Sequence, residues 1–323
     1  MSNNYNHIFI LEVKDMLYIL LFIILAGCFL LGMTMMRIGL FNLSGSTMEN
    51  WLQKMTRTPF LGFLAGIGMT IVLQSSSAVT VIAVGLVSAR ILSFPQTIGI
   101  ILGTNIGTTI TLEFFTFDLS KIILPLLGIG LVLQFFRNIK VKSSSFILLG
   151  IGIIFASMNG FEWLSGPLAN IEYIDKLIYV MKDHSVISFL IGTILTAIIQ
   201  SSTVMTGIAM SFLTVGTLPL ETGIAIMIGA NIGTCATALF ASIGTGREAR
   251  LTAFAHIWLN VGGAILFFPF ISFLANFSRL LAVDPHTQLA HASVIYNVVC
   301  SLVVLPFAKE FAHFIMTLHG KKT

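Results

Sequence analysis

The sequence predicts an all-α polytopic membrane protein built from inverted internal repeats. Each repeat carries a re-entrant or broken helical hairpin with a Gln-Ser-Ser-(Ser/Thr) motif. Three observations predict it. The composition is apolar and poor in charge; a polar run occurs twice, as Gln74-Ser75-Ser76-Ser77 and Gln200-Ser201-Ser202-Thr203; and lysine and arginine are spread unevenly over the connections.

Apolar residues make up 56% of the 323, and only 9% are charged; mean hydropathy is +0.97. A soluble domain carries about 25% charged residues, so this chain lacks the charge to cover itself in water. Lipid is its expected solvent, and a multi-pass place in the cell (inner) membrane its expected location. A helix needs about 20 apolar residues to cross the hydrocarbon, and 16–36, 224–242 and 254–274 come close to that length. The first follows Glu12 and Lys14 and shows no small-residue cleavage site, so it reads as a retained span. The runs do not alternate every second residue, which argues against a β-barrel. The 27 phenylalanines read mainly as lipid-facing bulk. Net charge is +4, but the seventeen basic residues lie scattered over short connections, so no nucleic-acid partner is expected. Cys28, Cys235 and Cys300 lie in apolar runs without metal-ligand spacing and read as buried thiols.

The polar run recurs at an offset of 126 residues. Gly-Thr-Asn-Ile-Gly-Thr at 103–108 is answered by Gly-Ala-Asn-Ile-Gly-Thr at 229–234, and each Asn, Asn105 and Asn231, follows its glutamine by 31 residues. Gly66 matches Gly192, Thr70 matches Thr196, and Thr80 matches Thr206 in the same register. Two composite motifs at one spacing indicate a duplication. Short cytoplasmic connections collect Lys and Arg. Arg137, Lys140 and Lys142, Arg247 and Arg250, and Lys309, Lys321 and Lys322 therefore read as inside. The connections 162–183 and 113–118 read as outside. A consistent path then has a hairpin at 59–90 dipping from the inside, spans at 97–112, 122–136 and 146–161, and a second hairpin at about 186–216 dipping from the outside. Spans at 224–242, 254–274 and 289–307 follow. Three full crossings between the dips invert the second, with the amino terminus outside and the carboxyl terminus inside. Either dip could instead be two thin spans or one long tilted helix, and a single tilted helix would change the parity.

A polar group left unpaired in hydrocarbon costs several kcal/mol, so irregular backbone is tolerated only beside protein or a water-filled cavity. Hairpin tips at 74–77 and 200–203 meet that condition when they face each other near midplane. Helix amino termini suit an anion, while helix-end carbonyls and Ser or Thr oxygens suit a desolvated Na⁺. Asn105 and Asn231 donate and accept, and Thr104, Thr108 and Thr234 add hydroxyls. Neither motif contains Asp, Glu or His, so no nucleophile–base pair is present; the pattern is a neutral cage and not an enzyme's hydrolytic centre. Small polar residues also serve helix packing, and the Gly62–Gly66 pair reads that way. Thr80, Thr206, His256, Asn260 and Asn297 are further candidates for lining the cavity, with His256 and Asn260 four apart on one helix face.

With these residues the chain resembles the type II sodium-phosphate cotransporter family, which is recognised by duplicated Gln-Ser-Ser-Ser signatures. The resemblance runs over about 37–306. It implies Na⁺-coupled movement of inorganic phosphate by alternating access, with Na⁺ as coupling ion and no organic cofactor. It places substrate on Gln74, Ser75, Ser76, Ser77, Gln200, Ser201, Ser202, Thr203, Asn105 and Asn231. Sodium falls to Ser75, Ser76, Thr104, Asn105, Ser201, Ser202, Thr203, Asn231 and Thr234. Thr203 departs from the signature serine but keeps the hydroxyl. Many bacterial members append a cytoplasmic regulatory domain, and this chain resembles the short form. The implied organisation is one transport domain: an N-terminal helix and connection (1–58), repeat 1 (59–143), a linking span and external loop (144–183), repeat 2 (184–275), and a final span with its tail (276–323). The expected partners are phosphate, the lipid bilayer and, as a homodimer, a second copy. The residues alone would also serve a channel or exporter for another small oxyanion, or a membrane sensor or scaffold that does not transport.

Overall fold

The computed structural model describes residues 2–44 and 58–320, and every regular element among them is helical. In chain order these are α1 (Ser2–Ser44), α2 (Pro59–Leu73), α3 (Ser76–Ser88), α4 (Phe94–Phe114), α5 (Ile123–Leu133), α6 (Ile139–Ala169), α7 (Glu172–Asp183), α8 (Ser185–Ile199), α9 (Ser202–Thr214), α10 (Leu220–Gly233), α11 (Cys235–Ala241), α12 (Arg247–Phe267), α13 (Ile271–Leu281), α14 (Pro285–Val304) and α15 (Ala308–His319). Among the described residues five stretches are long and apolar enough to cross a membrane: Val13–Ser44, Ile139–Ala169, Leu220–Ala241, Arg247–Leu281 and Pro285–His319. The spans expected at 16–36, 146–161, 224–242, 254–274 and 289–307 fall within these, to within one residue. Pro269 and Pro306 each sit in a one-turn 3₁₀ segment inside a long span; proline has no N–H to give and crowds the preceding turn.

Three expectations change. The span expected at 122–136 is only α5, 11 residues long after a 3₁₀ turn at Ser120–Ile122; at 1.5 Å per residue α5 is about 17 Å long, shorter than the hydrocarbon. It lies along α6, where the Ser145 hydroxyl donates to the Gly130 carbonyl at 2.6 Å. Asn138 then starts α6 by accepting from the Lys140 amide at 2.8 Å. Second, the connection 162–183 is largely helical: α6 runs on to Ala169, and α7 turns by 118° into α8. Third, not all the phenylalanines face lipid. Phe29, Phe115, Phe155 and Phe161 are buried, with Phe29 edge-on to Phe115 at 5.5 Å and Phe114 edge-on to Phe155 at 5.7 Å, a preferred aromatic geometry.

The two signature regions each fold as a pair of short helices. α2 and α3 have 15 and 13 residues, as do α8 and α9. At about 22 and 20 Å none spans the hydrocarbon. α2 runs parallel to α4: Gly99 lies against Pro59, Gly66 against Ile100, and Gly107 against Thr70. The start of α4 is thus beside the start of α2. Only five residues join Ser88 to Phe94, too few to reach back along a straight helix pair, so α3 must double back beside α2. The same reasoning applies to α8, α9 and α10, where Gly229 lies against Phe189 and Gly192 against Ile226. The boundaries of α2, α3 and the start of α4 recur in α8, α9 and α10 at the offset of 126. α1 packs antiparallel on α6, with Gly32 against Gly150 and Gly39 against Ser143.

Candidate functional site: two helix breaks

Each short helix pair is broken at its glutamine. Gln74 (φ 50°) and Gln200 (φ 59°) are left-handed, and each ends the incoming helix. An L-residue pays roughly 1–2 kcal/mol for that conformation. The serine that follows starts the outgoing helix. Ser75 accepts from the Ala78 amide at 3.1 Å, and Ser201 from the Val204 amide at 3.3 Å, satisfying donors that the first turn would otherwise leave open. Ser76, Ser202 and Thr203 are buried, and Ser77 is half-buried. The first turns of α3 and α9 therefore keep polar groups inside the bundle, at the breaks.

The surroundings of the two breaks differ. The Gln74 amide donates to the Ile71 carbonyl at 2.6 Å and accepts from the Thr111 hydroxyl of α4 at 2.8 Å. Thr237 stands where Thr111 stands, 126 residues on, yet its hydroxyl is buried without a partner, and Gln200 is exposed with no side-chain hydrogen bond among the described residues. The second tip is held otherwise: the Ser202 amide donates to the Thr234 hydroxyl at 3.1 Å. Thr70 and Thr196, one turn before the glutamines, are 1% and 0% exposed, and neither hydroxyl has a partner. The repeat register pairs these two threonines, but sequence reasoning left them outside the site. A hydroxyl four residues before the break, on the same helix face, is the signal that could have found them.

The asparagines connect the halves. Asn105 donates to Asn260 at 3.2 Å, and Asn260 donates to the Cys235 sulfur at 3.2 Å and to the His256 carbonyl at 3.0 Å. Cys235 opens α11 directly after Thr234, so a line of polar contacts runs from Ser202 to Asn105. Asn231 is half-buried, and its amide approaches only the Met227 sulfur, at 3.9 Å. Thr104 donates to the Ile101 carbonyl and Thr80 to the Ser76 carbonyl, while Thr206 is buried in α9. Asn297 bonds within its own helix, to Ser293. His256 is 1% exposed, and its Nδ1 has no partner. Among the described residues no group of three or more His, Cys, Asp and Glu could hold a metal ion.

Asn260→Leu is expected to destabilise the protein by about 1–3 kcal/mol, because it strands the Asn105 amide in the bundle. Heating in detergent should show aggregation at a lower temperature than for the unaltered protein. An unchanged midpoint would show that the network adds nothing.

A family model described as "Na+/Pi-cotransporter" matches residues 28–162 and 168–282, which take in both breaks and both asparagines. The chain belongs to the Na+/Pi-cotransporter family. Among individual relatives, it is 41% identical over 303 residues to "Uncharacterized protein YqeW" of Bacillus subtilis (strain 168), covering 94% of this chain and 99% of that one. It is 25% identical over 290 residues to "Putative inorganic phosphate export protein YjbB" of Escherichia coli (strain K12), covering 89% of this chain and 53% of that one. The chain thus spans about half the length of that second relative. A shorter match, 30% over 86 residues, is to "Sodium-dependent phosphate transport protein 2A" of Ovis aries, covering 25% of this chain and 14% of that one. No solved structure matches. Membership in the family makes the chain a multi-pass membrane transporter and not an enzyme.

Proposed function

We propose that the protein moves inorganic phosphate across the cell membrane coupled to Na⁺, by alternating access between two inverted repeats. The observation that carries this reading is one joint in two states: the hydroxyl–glutamine bond is made at Thr111–Gln74 and unmade at Thr237–Gln200. In a transporter of inverted repeats, two halves of like sequence hold different conformations, and exchanging them moves the opening from one face to the other. The inverted reading is supported by α1 and α6. Their carboxyl ends, Ser44 and Ala169, lie 125 residues apart, close to the offset of 126, and the two helices pack antiparallel, which supports two units of opposite orientation, each drawn with its long helix. The hairpin of the first unit then opens to the cytoplasm and that of the second to the outside.

Phosphate is supported by the names of two relatives, one for phosphate export and one for sodium-dependent phosphate transport. Na⁺ is supported by the buried, unpartnered hydroxyls of Thr70 and Thr196 beside the breaks. A buried oxygen without a donor carries a free-energy cost, and a cation would relieve it. Substrate falls to Gln74 to Ser77, Gln200 to Thr203, Asn105 and Asn231, and the ion to the serines and threonines at the breaks together with Thr104 and Thr234. Export is the second reading on direction, favoured by the name of the Escherichia coli relative.

Purified protein in liposomes with radiolabelled phosphate tests this. Accumulation is expected only with an imposed Na⁺ gradient, in the direction the gradient sets. Flux that equilibrates without a gradient and does not saturate would establish a channel instead, and no flux under either orientation would reject transport.

A further inference from the structure

Among the described residues three that are not glycine have positive φ: Gln74, Gln200 and Arg90. The first two are the signature breaks. Arg90, at φ 59°, lies in the turn between α3 and α4. Its counterpart 126 residues on, in the turn between α9 and α10, is Gly216 at φ 75°. One turn geometry is thus built once with glycine, which adopts it freely, and once with arginine, which pays roughly 1–2 kcal/mol. Strain kept where glycine would relieve it points to a use for the side chain.

Around Arg90 is a cavity of about 650 Å³, also lined by Ser93, Arg247, Glu248 and Met316. The Arg90 guanidinium makes no hydrogen bond or ion pair among the described residues. Arg247 donates to the Gly320 carbonyl, and Glu248 accepts from the Phe94 amide at the start of α4, at 3.4 Å. With one carboxylate against two guanidiniums, the lining keeps a net positive charge. The matching turn also has a cavity, of about 440 Å³, lined by Gly216, Lys182 and Arg279. There Arg279 is bound to Glu221 at 2.8 and 2.9 Å and to Asn276 at 2.9 Å. The equivalent places therefore differ: the first holds an unpaired guanidinium, whereas the second has its arginine occupied and offers only the Lys182 ammonium, a point charge without the guanidinium fork.

We infer that Arg90 and Arg247 form a binding site for a phosphate group at the base of the first hairpin, separate from the signature breaks and without an equal at the other hairpin. A guanidinium fork matches the oxygens of a phosphate, and the cavity has room for the group with several waters at roughly 30 Å³ each. Free phosphate and the headgroup of an anionic lipid present the same chemistry here. The role as a capture site for transported phosphate rests on the function proposed above, and on that topology it faces the cytoplasm; the binding itself does not depend on either.

The informative variant is Arg90→Gly, which removes the guanidinium and relaxes the turn, so folding is not put at risk. In neutral detergent without lipid, inorganic phosphate should show ³¹P line broadening with the unaltered protein, at least fivefold less with Arg90→Gly, and undiminished broadening with Arg250→Gln, which changes net charge equally outside the cavity. A Gln74→Gly/Gln200→Gly double variant should keep the Arg90-dependent broadening even if the protein moves no phosphate, which separates this site from the transport reading. A second arm adds phosphatidic acid to phosphatidylcholine vesicles and reads the shift in unfolding midpoint. An Arg90-dependent shift there, without ³¹P broadening in detergent, assigns the site to the lipid headgroup. In sided liposomes, capture of free phosphate predicts a KM raised about tenfold by Arg90→Gly on the Arg90 face and unchanged on the other. Arg90→Gly that matches the unaltered protein in both binding arms overturns the proposal.

Discussion

Gln74→Gly and Gln200→Gly are each expected to yield folded, membrane-inserted protein whose Na⁺-driven phosphate transport is reduced about tenfold or more. Glycine separates the two things each glutamine does. The left-handed break needs only a backbone that accepts φ 50° and 59°, and glycine accepts it at lower cost than any L-residue. The fold should therefore survive, and the monodisperse peak in detergent reads it. The amide is lost. At Gln74 it joins the break to Thr111 on α4; at Gln200 it is exposed and uncommitted. A hydrogen bond to a charged group contributes about 1.5–3 kcal/mol, which corresponds to about tenfold to 150-fold in rate or affinity. Alanine in the same positions would lose the amide and keep the strain, so its result would mix the two effects. Full transport in the Gln74→Gly/Gln200→Gly double variant would remove both amides from the site and leave the glutamines as structural breaks only.

Much of this architecture was legible because the physics of the bilayer is severe. A polar quartet in an apolar run has few structural explanations in lipid, and repetition at 126 residues removes chance composition. Both breaks fall at their glutamines for that reason. The span expected at 122–136 was read from hydropathy alone, and hydropathy does not register where a helix stops: Asn138 begins α6 early, and α5 is left short. The phenylalanine cluster was missed for a related reason, since an aromatic ring facing lipid and one packed against another ring look alike in sequence.

Within the site, the serines and asparagines were legible as residue types at repeated positions. Their partners were not. Nothing in the register distinguishes Thr111 from Thr237, yet one is bonded to its glutamine and the other is buried without a partner. That difference lies in what surrounds each tip, which the repeat register alone does not specify. Cys235 likewise read as an inert thiol, whereas it accepts from Asn260 in the contact line between the halves. A thiol is a weak partner, and only proximity gives it a part.

Gly103→Val and Gly229→Val are expected to abolish recovery of folded protein, and Gly85→Val is expected to have little effect. The contrast is in what a side chain would meet. At Gly103 an added Cβ would run into the carbonyl oxygen of Phe63 and the amide of Ile67 on α2. At Gly229 it would meet the Phe189 carbonyl and the Thr193 amide on α8. These are backbone atoms of a parallel helix, which cannot rotate away as a side-chain end does, so relief requires the helices to separate. Overpacking in a core costs about 1–3 kcal/mol when side chains can shift; here separation would also draw α2 away from α4 and pull the Thr111–Gln74 bond apart. Gly85 is also helical, yet nothing lies within 4 Å of its added Cβ. Valine there is a slightly better helix former than the glycine it replaces, by a few tenths of a kcal/mol. Size-exclusion chromatography of the three variants from equal membrane preparations tests this. Equal recovery of Gly103→Val and Gly85→Val would mean that close approach of α2 and α4 is not what holds the first break in place.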